Sequence, residues 1–103
     1  MEQELKLFQK FDLNPDETVI IEKMHCFYNG GIIPVPGSLY ILNNCICFKS
    51  HLNHKTLFGN KTKIKILISD IRLCNLTKNV GNSLNIHANN SKKYVFSSTG
   101  HGL

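Results

Sequence analysis

Pro36-Gly37-Ser38-Leu39-Tyr40-Ile41-Leu42-Asn43-Asn44-Cys45-Ile46-Cys47-Phe48-Lys49-Ser50 is the stretch whose reading decides the fold. Two short runs of β-branched, aromatic and small apolar residues, Ser38–Leu42 and Cys45–Ser50, are separated by two asparagines. Each run is too short for a buried helix and has strand composition. The pair therefore predicts a hairpin, with Asn43-Asn44 in a tight turn, because asparagine tolerates the positive φ of primed turns.

The same pattern extends in both directions. Towards the N-terminus, Asn29-Gly30-Gly31 through Pro34 and Pro36-Gly37 punctuate a loop. Before it, Thr18 to Tyr28 is rich in β-branched and aromatic residues and predicts the first strand. Asn14-Pro15-Asp16-Glu17 is a turn. Leu5, Phe8 and Phe11 stand at helical spacing, so residues 3–11 predict a short amphipathic helix. Towards the C-terminus, residues 51–61 form a longer loop. In 62–68, Lys61, Lys63 and Lys65 alternate with Ile64, Ile66 and Ile68, the period of a half-buried strand. Residues 70–77 predict another strand, 78–82 a turn, and 83–88 with 92–98 a last hairpin over Asn89-Asn90. One helix and seven short strands at such spacing predict a mainly β sandwich or partly open barrel. The 103 residues are read as one domain: a helix and turn over 1–17, a β body over 18–98 and a tail over 99–103.

Composition narrows the function. No apolar run approaches the roughly 18 residues of a membrane span, and the acidic, polar opening Met1-Glu2-Gln3-Glu4 lacks a leader pattern, so a cytoplasmic protein is expected. The net charge of +5 is unevenly spread. Residues 1–22 hold six of the seven acids, whereas from Lys23 onward ten basic residues face one acid, Asp70. Such a field favours anionic partners. Cys26, Cys45, Cys47 and Cys74 lie inside apolar stretches and read as reduced, buried, small hydrophobes.

In order along the chain, several segments resemble a GRAM domain. Phe11-x-Leu13-Asn14-Pro15-Asp16-Glu17 is similar to the start of that family. Pro36-Gly37-x-Leu39-Tyr40 followed by Asn43-Asn44-x-Ile46-Cys47-Phe48-x-Ser50 is similar to its central signature. Asp70-Ile71 and Lys93-Tyr94-Val95-Phe96-Ser97-Ser98 match its fifth and closing strands. The run from Cys26 to Tyr40 is most similar to GRAM modules of TBC-type Rab GTPase-activating proteins. The resemblance implies a pleckstrin-homology-like seven-stranded scaffold and a non-catalytic, peripheral membrane role. It implies binding of anionic lipid, a phosphoinositide or phosphatidylserine. Its alternative is a docking module for partner proteins such as small GTPases, within a larger trafficking or signalling protein.

In pleckstrin-like folds the loops at the open end meet the lipid headgroup. By position, two loops here are candidates. In residues 29–36, Ile32, Ile33 and Val35 stand between glycines and prolines as insertion residues; the competing reading folds Ile33 and Val35 onto the core. In the second, residues 51–63, Lys55, Lys61 and Lys63 surround Leu57 and Phe58, with Lys65 extending the patch along the strand.

Other chemistries are poorly supported. Cys45-x-Cys47 with His51 and His54 lacks a second cysteine pair at zinc-ligand spacing. No nucleophile motif or carboxylate pair stands out, and Gly30-Gly31 lacks the context of a phosphate-cradling loop. Neither an enzyme, a metal nor a cofactor is expected. Few aromatics flank the lysines, which argues against nucleic acid. The resemblance would place a helix after the closing strand, but Thr99-Gly100-His101-Gly102-Leu103 is a poor helix start. The expectation is an uncapped barrel end, prone to pairing with a second copy, in a fragment or a minimal form of the domain.

Overall fold

The computed structural model describes residues 2–51, 62–77 and 82–98. Helix α1 (Glu2–Lys10) precedes strands β1 (Ile20–Tyr28), β2 (Val35–Leu42), β3 (Cys45–Ser50) and β4 (Lys63–Leu67). A 3-10 turn (Ile68–Asp70) leads into β5 (Ile71–Thr77), β6 (Asn82–Ala88) and β7 (Lys93–Ser98). All pairings are antiparallel, in the order β4-β3-β2-β1-β7-β6-β5.

This order dictates the shape. In a flat sheet, six strand spacings of about 4.8 Å would put the edges β4 and β5 about 29 Å apart. The chain from Leu67 to Ile71 can span about 14 Å at most. The sheet must therefore coil until its two edges approach one corner. It does not close, since β4 and β5 are not hydrogen-bonded to each other. The result is the open, mainly β architecture expected from the strand count.

Coiling encloses an inner core from every strand but β5: Cys26, Leu39, Ile46, Phe48, Ile66, Ile86 and Phe96, flanked by the partly buried Met24, Tyr28, Val35, Ile64, Ile71, Leu84 and Tyr94. Phe48, Phe96 and Tyr28 stack mutually at centroid distances of 5.4 to 5.9 Å. Gly37, buried in β2, leaves room for this stack. A Cβ there would strike the Phe48 ring and the Lys49 carbonyl. On the opposite face, α1 lays Leu7, Phe8 and Phe11 over Tyr40, Leu42, Cys45 and Cys47. Strands β2 and β3 are thus buried on both faces, which explains their near-continuous apolar sequence.

The end of α1 shows how local signals and distant strands combine. Asp12 adopts φ 56°, Leu13 N–H bonds the Phe8 carbonyl at 2.7 Å and Asp12 N–H the Gln9 carbonyl at 3.3 Å. This is a Schellman cap, in which a left-handed residue turns the chain back over the last carbonyls. The next two carbonyls are taken from across the fold. Lys63 Nζ donates to the Lys10 carbonyl at 2.9 Å and Lys65 Nζ to that of Phe11 at 3.0 Å.

Five local expectations are corrected. Val35 and Pro36 belong to β2, because pairing of Val35 with Tyr28 and of Pro36 with Phe27 extends the strand into the anticipated loop. Ile68 leaves the strand pattern for the 3-10 turn, where it is exposed. Asn43 and Asn44 keep negative φ; Asn43 instead clamps the strand's approach, accepting from Val19 N–H at 2.8 Å and donating to the Glu17 carbonyl at 3.0 Å. In the last hairpin the positive φ falls on Ser91, at 68°. Cys74 is exposed, not buried, because β5 is an edge strand.

Candidate functional site

Strands β1 to β4 form a meander, so the connections after β1 and after β3 leave the sheet at the same end. The first of these, Asn29–Pro34, is held at its root by Asn29, whose backbone N–H donates to the Val95 carbonyl at 2.8 Å and whose side-chain amide donates to Ser97 Oγ at 2.7 Å. At its tip Ile32 is 100% exposed and Ile33 48% exposed. An isoleucine with no protein contact over its surface is costly in water unless something apolar meets it. Val35, by contrast, is half-buried against the inner core. Tyr28 packs where a Gly30 side chain would stand, so glycine is required there.

In the second connection, Lys55, Leu57, Phe58 and Lys61 lie outside the described residues, as does His54. Lys63 and Lys65 are described, and both ammonium groups reach the end of α1. Lys63 also lies 5.7 Å from the Phe11 ring centroid. The two lysines thus have a structural task beside any role in a basic surface.

At the root of both connections the structure assembles a group that sequence reasoning did not single out. In the outward-facing register His25 of β1 stands opposite Ser38 of β2, and Ser38 opposite Lys49 of β3. Lys23 lies two residues before His25 on β1, and His51, just past the end of β3, lies two residues after Lys49. Ser38 Oγ lies 2.8 Å from His51 Nε2 and 3.4 Å from His25 Nδ1, and the two rings meet edge to face at 5.2 Å. A cavity of about 240 Å³ opens beside them, lined by His25, Cys26, Phe27, Pro36, Gly37, His51 and Ser98. Contact with its neighbours strips water from one side of the His51 ring, and this burial, with the charges of His25, Lys23 and Lys49, holds its pKa below the ordinary value. The readable signal was a repeat: Lys23-x-His25 on β1 and Lys49-x-His51 at the end of β3 place like pairs on either side of β2.

Cys45 and Cys47 take no part in this group. Their sulfurs are 3.7 Å apart beneath α1, and burial raises the Cys47 thiol far above its usual range. Burial likewise pushes Cys26 up to about 11. The Cys26 and Cys47 thiols are inert packing groups at neutral pH. Among the described residues no cluster of three His, Cys, Asp or Glu could hold a metal ion. No helix among them is long and apolar enough to cross a membrane.

The fold is an open, coiled antiparallel sheet with an exposed apolar tip between β1 and β2. Comparison with known proteins places it. The GRAM domain family model matches residues 6–102, and the chain belongs to that family. GRAM domains are membrane-associated modules for lipid and protein interaction, a binding family and not a catalytic one. Among solved structures, the C-terminal domain of an unknown protein from Leishmania infantum aligns with a TM-score of 0.69 at 17% identity, over 92% of this chain and 83% of that one. That likeness is one of fold. No curated protein matches in sequence.

Proposed function

We propose that the chain is a non-catalytic, peripheral membrane-docking module that binds anionic lipid, phosphoinositide or phosphatidylserine, with the loops at one end of its sheet. The observation that carries this reading is the bare Ile32–Ile33 tip beside a strongly basic body. Each isoleucine entering the headgroup boundary adds on the order of 1–2 kcal/mol, and each nearby lysine about 1 kcal/mol on an anionic surface. Ile32 and Ile33 are the insertion residues; Lys55, Leu57, Phe58, Lys61 and Lys63 are the second contact. Lys65 contributes charge from its place under α1.

Co-sedimentation with vesicles tests this. Binding to vesicles containing phosphatidylserine or phosphoinositide, weakened by salt and abolished by Ile32→Asp/Ile33→Asp, is the expected outcome. Equal binding to neutral vesicles, or none to any vesicle, overturns it. A second reading is favoured by β5, an edge strand with Leu73 and Leu76 exposed beside Cys74. Such an edge suits strand addition by a partner protein, a small GTPase or a second copy of the chain. In that case Leu73→Lys/Leu76→Lys abolishes partner binding and leaves vesicle binding intact.

A further inference from the structure

We propose that β5 is the seam of a homodimer, pairing antiparallel with β5 of a second copy about a two-fold axis at Cys74. This deepens the strand-addition reading of that edge, on which it rests, by naming the occupant.

Ala88 N–H bonds the Lys92 carbonyl across the last hairpin, so Ala88, Ile86 and Leu84 turn their backbone groups towards β7. Ser83, Asn85 and His87 then address β5, at Thr77, Asn75 and Leu73. By the same alternation, Cys74 and Leu76 point their N–H and carbonyl groups away from the sheet, where no described strand receives them. Such a row is a template for another strand. Its side chains suit one as well. Leu73 and Leu76 are 48% and 47% exposed, and Cys74 is exposed between them.

Symmetry and charge select a second copy. β5 has seven residues, and Cys74 is the fourth. An axis there aligns the strand with its copy over its whole length: Ile71 with Thr77, Arg72 with Leu76, Leu73 with Asn75, and Cys74 with itself. Arg72 is the only charge on the strand. In this register it faces Leu76 of the other copy and lays its aliphatic stem over that leucine. The two arginines stand four residues apart along the seam, about 14 Å. That exceeds the screening length of about 8 Å at physiological salt, so no like charges meet. Leu73 lies diagonal to its own equivalent on one face, and Leu76 diagonal to Cys74 on the other.

The seam is short, a bulge interrupts it at Arg72, and each copy carries a net charge of +5. The pairing is therefore weak, and salt strengthens it by screening the repulsion between copies. That sign is opposite to the salt dependence expected for binding to anionic lipid.

The test takes the full chain at rising concentration, with a short bismaleimide cross-linker and amide hydrogen exchange read on the same samples. The other three cysteines are buried, so the linker reports Cys74 alone. We expect a cross-linked dimer that grows with protein concentration and with salt, and is lost in Cys74→Ser. The Cys74 and Leu76 amides should exchange about tenfold more slowly once the dimer forms. Leu76→Lys sets a second cation opposite Arg72 of the other copy and should abolish the dimer. Leu76→Glu sets a carboxylate there, twice per dimer, and should strengthen it several-fold. A dimer that Leu76→Glu weakens, or that Leu76→Lys leaves intact, overturns the proposal. A monomer at every concentration with fast exchange at both amides overturns it too, but leaves the edge open to another partner and the strand-addition reading standing. Slow exchange at those amides in a monomer means that the chain covers its own edge, and sinks both.

Discussion

Strands β3 and β5 belong to one sheet and are similar in length and apolar content, yet one is almost wholly buried and the other almost wholly exposed. The comparison is sharp because register is not the cause. Cys74 and Leu76 pair with Ile86 and Leu84, residues of the inner core, and so occupy the inward-facing side of β5. They remain exposed because the sheet stops coiling before it covers them. β3 has the coil on one side and α1 on the other. In this fold a strand's burial is set by its cover, more than by its own sequence.

If so, the same chemistry should carry very different weights in the two regions. Phe48→Ala removes the centre of the aromatic stack, and we expect a loss of about 3–5 kcal/mol in denaturant unfolding. A loss below 1 kcal/mol would break the claim that this side is the rigid one. Gly37→Ala comes next. Its methyl must displace Phe48 or the Lys49 backbone, with an expected cost of about 1–3 kcal/mol. Lys65→Met keeps the apolar stem but leaves the Phe11 carbonyl without its donor, and should cost about 1 kcal/mol, seen as a lowered urea midpoint. Ser91→Gly should stabilise by about 0.5–1 kcal/mol, because glycine holds φ 68° without strain; calorimetry would read it as a higher Tm. Leu76→Ala, on the exposed strand, should stay within about 0.5 kcal/mol of wild type. A larger loss would mean that β5 is covered in solution, and would favour strand addition there.

The end of the sheet that carries the β1–β2 connection shows a parallel contrast. The apolar loop tip was readable because glycines and prolines bracket Ile32 and Ile33, leaving them outside either strand. Val35 was not, since its assignment to β2 depends on pairing with Tyr28 across the turn. Lys63 and Lys65 were legible as the polar side of an alternating strand. Their bonds to the end of α1 were not, because the partners lie 53 and 54 residues earlier. The histidine pair lies between these cases. Lys-x-His occurs twice and can be read from the sequence, but only the cross-strand register shows that Ser38 stands between the two copies.

The sequence by itself determined the number of strands, the helix ahead of them, the turns and the basic character of the body, since these depend on propensities and periods acting over a few residues. Tertiary structure alone decided which apolar strands are covered, that Asn43 clamps the strand entry in place of bending a primed turn, and that two histidines converge on the Ser38 hydroxyl. Those outcomes depend on the coiling of a whole sheet, whose edges β4 and β5 must approach each other because so little chain joins them.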